Sequence, residues 1–384
     1  MHSEIQQLSL SRFDNEKASQ ILETCVHCGF CLATCPTYQL LGDELDSPRG
    51  RIYLIKSALE DNNFTEKSLN HLDRCLTCRS CETTCPSGIN YGELLDIGRN
   101  FMEEKRPKWQ SIYRFFVRKF LSTPLIFKAL GIFVRHSGIS SEAIKPEQID
   151  SKVLLLGGCV QPMLAPNINH SIKNILARLG VEVIEDSPGE CCGALDQHLA
   201  APAAALKKVK RNIDSWYSQL NSGVKVIISS ASGCGVMVKD YPELFEPEDP
   251  YYEKARYISQ HTQDIAEYLS TQDLTKFKLS ESNISYHEPC TLQHGQKLGG
   301  LVESILERLG YEKEAIKDSH ICCGSAGTYS IFQPKLSKQL KVNKITNLTA
   351  RNPKIIVTSN IGCLMHLQQG SSIPVKHWVE LLDG

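Results

Sequence analysis

The sequence lacks an excess of charge of either sign, a long apolar run and a leader-like amino terminus. Its 384 residues hold 42 Lys and Arg against 43 Asp and Glu, a net charge of −1, which gives no electrostatic support for a nucleic-acid partner. The longest uncharged stretches, 153–172 and 355–375, are interrupted by polar residues, so neither resembles a spanning helix. The polar amino terminus has no signal-peptide core. We therefore expect a cytoplasmic chain that binds no nucleic acid.

Motifs for hydrolysis and nucleotide binding are also missing. The sequence has no G-x-G-x-x-G after a strand, no G-x4-G-K-[ST], no G-x-S-x-G and no H-E-x-x-H, so dedicated phosphate-binding loops and common hydrolytic sites are not predicted.

Cysteine, by contrast, is abundant, with sixteen residues. In a chain without signs of secretion, thiolate ligands are favoured over disulfides. Residues 25–36 and 75–86 each read C-x2-C-x2-C-x3-C-P, the pattern of two-cluster ferredoxins, in which the fourth cysteine crosses to the other cluster. We therefore predict two 4Fe-4S clusters, one on Cys25, Cys28, Cys31 and Cys85, the other on Cys75, Cys78, Cys81 and Cys35. With hydrolytic and nucleotide-binding motifs missing, electron transfer is the favoured class of function. Because iron-sulfur cubanes pass single electrons and organic oxidations release two, a flavin that divides the pair is expected on a partner polypeptide.

Two structural zinc sites are the alternative, since C-x2-C also suits zinc, although the third cysteine and the proline of each motif would then have no role. Ser47 and Pro48 predict the start of a helix between the motifs, and a second helix is expected after Pro86. This favours an α-helical ferredoxin domain. Four arginines near the motifs are candidates to stabilise reduced clusters, with a solvated surface role as the alternative: Arg49, Arg51, Arg74 and Arg79.

The other eight cysteines reveal an internal duplication. Each half has a strand-like run before its first cysteine, a helix ending in Arg-Leu-Gly, a Cys-Cys-Gly, a further helix, a buried strand and a Gly-Cys. Strands that end near cysteines place thiols at one edge of an α/β sheet. This predicts a further iron-sulfur or zinc site in each half, with simple packing of small apolar thiols as the alternative. The cysteines are Cys159, Cys191, Cys192 and Cys234 in one half and Cys290, Cys322, Cys323 and Cys363 in the other.

The halves differ in residues able to exchange protons or bind a metal. The catalytic residues are unknown, and the candidates are Asp196 and His198 in the first half and His287, His294 and His320 in the second. For each histidine, an ordinary hydrogen-bonding role is the alternative.

A basic, aromatic-rich segment joins the two regions. Residues 105–141 contain eight Lys or Arg and no Asp or Glu, interleaved with large apolar residues. Pro124 is expected to divide the segment into two amphipathic helices, which predicts binding to an anionic membrane surface. The alternative is a connector whose apolar face docks on its own domain or on a partner subunit.

These patterns predict an α+β multidomain chain. An α-helical ferredoxin domain (1–104) is followed by a basic linker (105–150) and a duplicated α/β cysteine-rich domain, with one repeat at 151–272 and the other at 273–384.

The chain resembles the iron-sulfur subunit family of glycolate dehydrogenase, also called glycolate oxidase. The resemblance is densest at residues 26–56, 71–88, 290–298 and 318–329. It implies that flavin (FAD) subunits of the same complex oxidise glycolate to glyoxylate, while this subunit relays electrons toward a quinone at the cytoplasmic face of the inner membrane. Lactate or glycerol-3-phosphate as substrate remains an alternative, because specificity would belong to the flavin partner.

The Cys-Cys-Gly repeats also resemble those of heterodisulfide-reductase-type proteins, with one departure. Those repeats end in C-x-x-C, whereas here Ala231 and Asn360 stand three residues before the last cysteine of each half. A thiol-disulfide reductase therefore remains an alternative, but clusters held by five thiolates are not expected. A redox-silent scaffold is the remaining, non-enzymatic class.

Overall fold

The structure is a computed structural model that describes residues 11–62, 64–122, 144–186, 191–312 and 315–383. An α-helical amino-terminal domain is joined by a further helix to two α/β repeats. The first seven helices are α1 (Arg12–Thr24), α2 (Pro36–Leu41), α3 (Pro48–Asp61), α4 (Glu66–Asp73), α5 (Ser80–Thr84), α6 (Tyr91–Met102) and α7 (Lys108–Ser122).

Helix α3 begins where the sequence predicts. The Ser47 Oγ atom accepts a hydrogen bond from the Gly50 backbone N–H at 2.9 Å, and Pro48 occupies the first helical position, where its missing N–H costs nothing. Buried Ile55 on this helix packs against α6. Gly98 of α6 allows this approach, because a Cβ atom there would lie 2.6 Å from the Ile55 side chain. The predicted helix after Pro86 is α6.

The first repeat contains a four-stranded parallel sheet in the order β2-β1-β3-β4. Its strands are β1 (Ser151–Leu155), β2 (Val181–Glu185), β3 (Val226–Ser229) and β4 (Thr262–Asp264). Its helices are α8 (Gln161–Leu164), α9 (Pro166–Arg178), α10 (Ala194–His198), α11 (Pro202–Asn221), α12 (Ser232–Lys239), α13 (Tyr252–Gln260) and α14 (Ile265–Ser270).

The second repeat contains a three-stranded parallel sheet in the order β5-β6-β7. Its strands are β5 (Ile284–His287), β6 (Ile355–Thr358) and β7 (Val375–His377). Its helices are α15 (Leu301–Arg308), α16 (Tyr329–Phe332), α17 (Pro334–Thr349) and α18 (Ile361–Gln368), with a π-helical turn at Thr291–Gly295. The duplication and the predicted fold class are confirmed.

The two repeats share a hydrophobic core. One buried cluster includes Val153 and Ile228 of the first sheet together with Ile356 and Val357 of the second. Polar contacts cross the same boundary, since the His377 Nε2 atom lies 3.0 Å from the Ser230 carbonyl oxygen. The repeats therefore pack as one body, which fixes the position of one set of cysteines relative to the other.

Helix α7 lies with its arginines toward the protein and most of its large aromatic side chains exposed. Arg106, just before the helix, and Arg114 both contact the Asp73 carboxylate, at 2.7 Å and 3.2 Å. Arg118 reaches Asp196 of the first repeat at 3.4 Å. Among the described residues, Trp109 and Phe116 are 67% and 64% exposed. Tyr113 of α7 contacts Phe332 of the second repeat, with ring centroids 5.7 Å apart, so part of the aromatic face docks on the chain itself. Docking of the remainder on a partner subunit stays a prediction.

The second amphipathic helix predicted beyond Pro124 lies outside the described residues. Within the part of the chain that the structure describes, each helix is too short or too polar to span a bilayer.

Candidate metal centres

The four thiols of the first predicted ligand set surround one cavity. Cys25, Cys28 and Cys31 border it from the first motif, and Cys85 borders it from the second. The remaining wall is largely apolar and includes Ile52, Ile89 and Tyr91. Cys28 is exposed, so this cavity reaches the surface of the domain.

The second predicted set borders a neighbouring cavity. Cys75, Cys78 and Cys81 line it together with Cys35 from the first motif, and all four side chains are buried. The Cys75 Sγ atom receives a hydrogen bond from the Thr77 backbone N–H at 3.4 Å and another from the Tyr91 hydroxyl at 3.6 Å. Such donors stabilise a thiolate. The exact ligand sets remain predictions of the sequence, with which this arrangement agrees.

Arg51 is a buried cation beside the second cavity. Its Nη1 atom lies 4.0 Å from the Cys35 Sγ atom, and its Nη2 atom donates to the Thr37 hydroxyl at 3.0 Å. Its counter-charge is the buried carboxylate of Asp46, which Arg74 also contacts at 2.8 Å. Sequence reasoning identified the arginines but missed Asp46, for which the only signal was an acid close to an arginine-rich motif.

The side chains of Arg49 and Arg79 also border the cavities, but they are more exposed than that of Arg51. Arg49 pairs with Glu44 at 2.8 Å and borders the first cavity. Arg79 forms an ion pair with Asp240 of the first repeat. Arg51 is thus buried beside a thiol, whereas Arg79 connects the ferredoxin domain to the first repeat.

The residues of both cavities fit iron-sulfur clusters. Burial raises the pKa of Cys78 and of Cys81 well above that of a free thiol, so these groups become thiolates only when a cation compensates the buried charge. The first cavity is bordered by its four predicted thiols and by Cys81, which also borders the second cavity with the other three thiols of its set. Hydrogen-bond donors reach sulfur atoms of both sets. This is the donor set and setting that a cubane requires.

In each repeat, four thiols form a contiguous chain. In the first, hydrogen-bonding contacts connect Cys159 to Cys191, Cys191 to Cys192, and Cys192 to Cys234. Cys159 follows β1, and Cys234 lies in the first turn of α12, just after β3. The thiols therefore gather at the carboxyl edge of the sheet, as the strand pattern predicts.

The second repeat repeats this arrangement with deeper burial. The Cys290 and Cys322 Sγ atoms lie 3.7 Å apart, and contacts continue from Cys322 to Cys323 and from Cys323 to Cys363. The turn after the vicinal pair needs Gly324, whose φ is +89°, because a Cβ atom there would lie 2.7 Å from the Ser337 carbonyl oxygen. Packing as isolated small hydrophobes does not account for two equivalent sets of touching thiols.

The thiols of the second repeat lie beside the ferredoxin domain. Cys78 and Cys322 belong to one buried cluster, with Cys290 packed against it. Next to this contact, the Thr83 hydroxyl lies 2.8 Å from the Nδ1 atom of His294. No sequence pattern predicts this proximity, because it joins residues more than 200 positions apart.

The five candidate proton-exchange residues do not lie together in one site. Asp196 pairs with Arg118 and with Lys208, the latter at 2.5 Å, and His198 lies 2.9 Å from the Asp96 carboxylate. These two residues thus hold the first repeat against α7 and α6. His294 lies at the contact with Thr83, and His320 lies nearby and is partly exposed. A catalytic role for any of them remains a prediction.

His287 stands apart from the other candidates. It is buried at the end of β5, and one of its ring nitrogens and the Sγ atoms of Cys323 and Cys363 all lie within 4.8 Å of one another. The side chain is thus positioned with the thiols of the second repeat.

Fold and site together define an iron-sulfur protein with a dicluster ferredoxin domain and a duplicated cysteine-rich domain. Residues 21–89 match the family described as 4Fe-4S dicluster domain, and residues 153–239 and 284–368 match the cysteine-rich domain family. The chain is 46% identical to the glycolate oxidase iron-sulfur subunit of Escherichia coli K12, over 96% of this chain and 95% of that protein. The chain therefore belongs to the family of glycolate oxidase iron-sulfur subunits, components of an oxidoreductase complex.

More distant relatives match most or part of the chain. A probable glycolate oxidase iron-sulfur subunit of Bacillus subtilis 168 is 27% identical over 91% of this chain and 89% of its own length. Lactate utilization protein A of Bacillus licheniformis is 26% identical over 60% of this chain and 99% of its own length. These matches confirm the predicted resemblance and the iron-sulfur cofactors.

Proposed function

We propose that this chain is the electron-transfer subunit of a complex that oxidises glycolate to glyoxylate on flavin-containing partner subunits, and that the electrons leave toward a membrane quinone. When bound, iron-sulfur clusters carry electrons singly, which suits a flavin that divides an electron pair. The near full-length similarity to the Escherichia coli glycolate oxidase iron-sulfur subunit supports this assignment.

The observation that carries the proposal is the succession of three thiol groups from the surface inward. The first group includes exposed Cys28, the second is buried around Cys75, and the third begins at Cys290, beside Cys78. The fold thus holds the groups in a fixed order, and the thiols of the second group and three of the four in the third are buried. A connected series of this kind suits electron transfer. A redox-silent scaffold would not require thiol groups in such a series.

The surface beside the first cavity suits a protein partner. Val26 and Phe30 are 66% and 63% exposed on either side of Cys28. Large apolar side chains grouped at a surface favour protein contacts. We place the docking site of the flavin subunit here, because it gives that partner the shortest approach to the outermost thiols.

Helix α7 is the proposed contact with the membrane. Its described outer face presents Trp109 and Phe116, flanked by exposed Lys108 and Lys119. Aromatic side chains with adjacent lysines suit the interface of an anionic bilayer. The double variant Trp109→Ser/Phe116→Ser should lose cosedimentation with vesicles rich in anionic lipid, whereas Tyr53→Ser, at another exposed aromatic residue, should retain it. Equal retention by both variants would discard α7 as the anchor.

In this proposal the flavin subunit, not this chain, determines which substrate is oxidised. Lactate is the second candidate substrate because the chain is similar to lactate utilization protein A. The test is to purify the chain with its flavin subunits and to measure dye reduction with glycolate and with lactate. Faster reduction with glycolate supports the proposal. A complex that reduces dye only with lactate would replace the substrate but keep the electron-transfer role.

A further inference from the structure

The two cysteine-rich repeats differ at one position beside their thiols. Three residues before its first cysteine, the second repeat has His287, and the first repeat has Leu156. Leu156 lies in the apolar core of its repeat. A ring nitrogen of His287 instead lies within 4.8 Å of the Cys323 and Cys363 Sγ atoms. This grouping of an imidazole with two thiols has the composition of a transition-metal site.

The position three residues before Cys363, where a C-x-x-C pair has its first cysteine, is occupied by a helix cap. Asn360 stands three residues before Cys363, and its Oδ1 atom accepts a hydrogen bond from the Gly362 backbone N–H at 3.3 Å. Its side chain is thus used to begin α18. The imidazole arrives from the adjacent strand β5, so the second repeat has five candidate donors where the first has four.

The orientation of the ring is fixed by a partner behind it. The His287 Nδ1 atom lies 2.9 Å from the hydroxyl of Thr358, which is fully buried on the paired strand β6. Donation of a proton from Nδ1 to this hydroxyl would leave the free lone pair on Nε2. A hydrogen bond from the second ring nitrogen is the usual support of a metal-binding histidine.

We propose that His287 is a ligand of an iron-sulfur centre in the second repeat, together with thiolates from Cys290, Cys322, Cys323 and Cys363, so that the two repeats hold differently ligated centres. The inference rests on the proposed function only in taking iron-sulfur clusters as the cofactor. As a neutral fifth donor, the imidazole adds no negative charge, whereas a fifth thiolate would add one and disfavour the reduced form. The centre beside Cys78 is therefore a better electron acceptor than the same centre with a thiolate in place of His287.

The test is pulsed EPR of the anaerobically purified complex, reduced with dithionite and prepared with either natural or 15N-labelled histidine. The expected result is a histidine-nitrogen coupling that changes with the isotope. In His287→Cys the coupling disappears, iron is retained and the reduction potential of one centre falls. In the control His366→Gln, at another buried histidine of the same repeat, the coupling persists.

Three results would overturn the proposal: no histidine coupling in the wild type, a coupling that survives in His287→Cys, or one that is lost in His366→Gln. The signals of the two ferredoxin-motif clusters provide an internal reference. Their absence would contradict the proposed function, whereas their presence without histidine coupling would contradict only the role of His287. Because dithionite replaces glycolate as the reductant, the outcome does not depend on the substrate.

Discussion

Cys78 of the ferredoxin domain and Cys322 of the second cysteine-rich repeat lie in the same buried cluster. Apolar side chains complete this cluster, namely Leu76, Tyr329, Leu336 and Leu340. The contact brings the inner ferredoxin motif against one repeat, with water excluded between them. The two repeats are therefore unequal in position as well as in sequence.

The crossing of the fourth cysteine gives a first prediction. Because Cys85 borders the cavity of the first motif, Cys85→Ser should remove the same EPR signal as Cys25→Ser. The matched variant Cys35→Ser should remove the signal that Cys75→Ser removes. Iron content should fall in all four. If Cys85→Ser instead reproduced the spectrum of Cys75→Ser, each motif would hold its own cluster.

Arg51 should tune the cluster that includes Cys35. Replacement by Met removes a buried positive charge 4.0 Å from the Cys35 sulfur and so disfavours the reduced state. We expect the potential of that cluster to fall by about 60 mV, the one-electron equivalent of about 1.4 kcal/mol. Arg74→Met, at a more exposed partner of Asp46, should produce a smaller shift because water screens its charge. Redox titration followed by EPR measures the cluster potential in both variants. Equal shifts in the two variants would contradict the special role of Arg51.

The glycines after the vicinal cysteines should differ in their tolerance of alanine. Both have positive φ, but a Cβ atom at Gly324 meets backbone at 2.7 Å, whereas one at Gly193 lies 3.4 Å from its nearest neighbour. Gly193→Ala should cost about 1–3 kcal/mol through backbone strain alone, and Gly324→Ala should cost more. Thermal denaturation of the two variants measures the difference. A larger loss in Gly193→Ala would show that the clash at Gly324 relaxes easily.

Asp264 should make stability depend on pH. Burial raises the pKa of this carboxyl to about 7, although it accepts a hydrogen bond from the Ala266 N–H and lies 3.2 Å from the Gln296 amide. Between about pH 4 and 7 the folded chain thus binds more protons than the unfolded chain. The contribution of this group to stability is complete below this window and falls by up to about 1.4 kcal/mol per pH unit across it.

The variant Asp264→Asn keeps the cap and removes the titration. Its melting temperature should therefore rise relative to that of the wild type as the pH increases from 5 to 8. A difference between the two proteins that does not change with pH would show that Asp264 stays ionised throughout.

The apolar residues beside Cys28 should support docking of the flavin subunit. Phe30→Asp should weaken co-purification with that subunit and slow glycolate-dependent dye reduction, with iron content unchanged. Val342→Asp, at another exposed apolar residue, on the second repeat, serves as the control and should bind the flavin subunit normally. Normal binding by Phe30→Asp would place the docking site elsewhere.

The sequence predicted those features that depend on residues close together in the chain. The capping pair at Ser47 and Pro48, the C-x2-C-x2-C-x3-C-P motifs and the repeated strand-to-cysteine pattern each act over a few residues, and their consequences are confirmed in the fold. The orientation of α7 was beyond such reasoning, because it depends on Asp73, which lies 41 positions before Arg114 and is buried by tertiary packing. The contact of Cys78 with Cys322 is likewise a product of domain packing.

The central claim is that thiolate-bound iron in this chain receives the electrons that a flavin partner removes from glycolate. The most direct measurement is anaerobic co-purification of the complex, with iron and sulfide quantification and EPR spectra recorded during titration with glycolate. We expect enough iron and sulfide to fill both ferredoxin motifs, and cluster signals that grow as glycolate is added. An iron-free chain that still supports full glycolate-dependent electron transfer by the complex would contradict it.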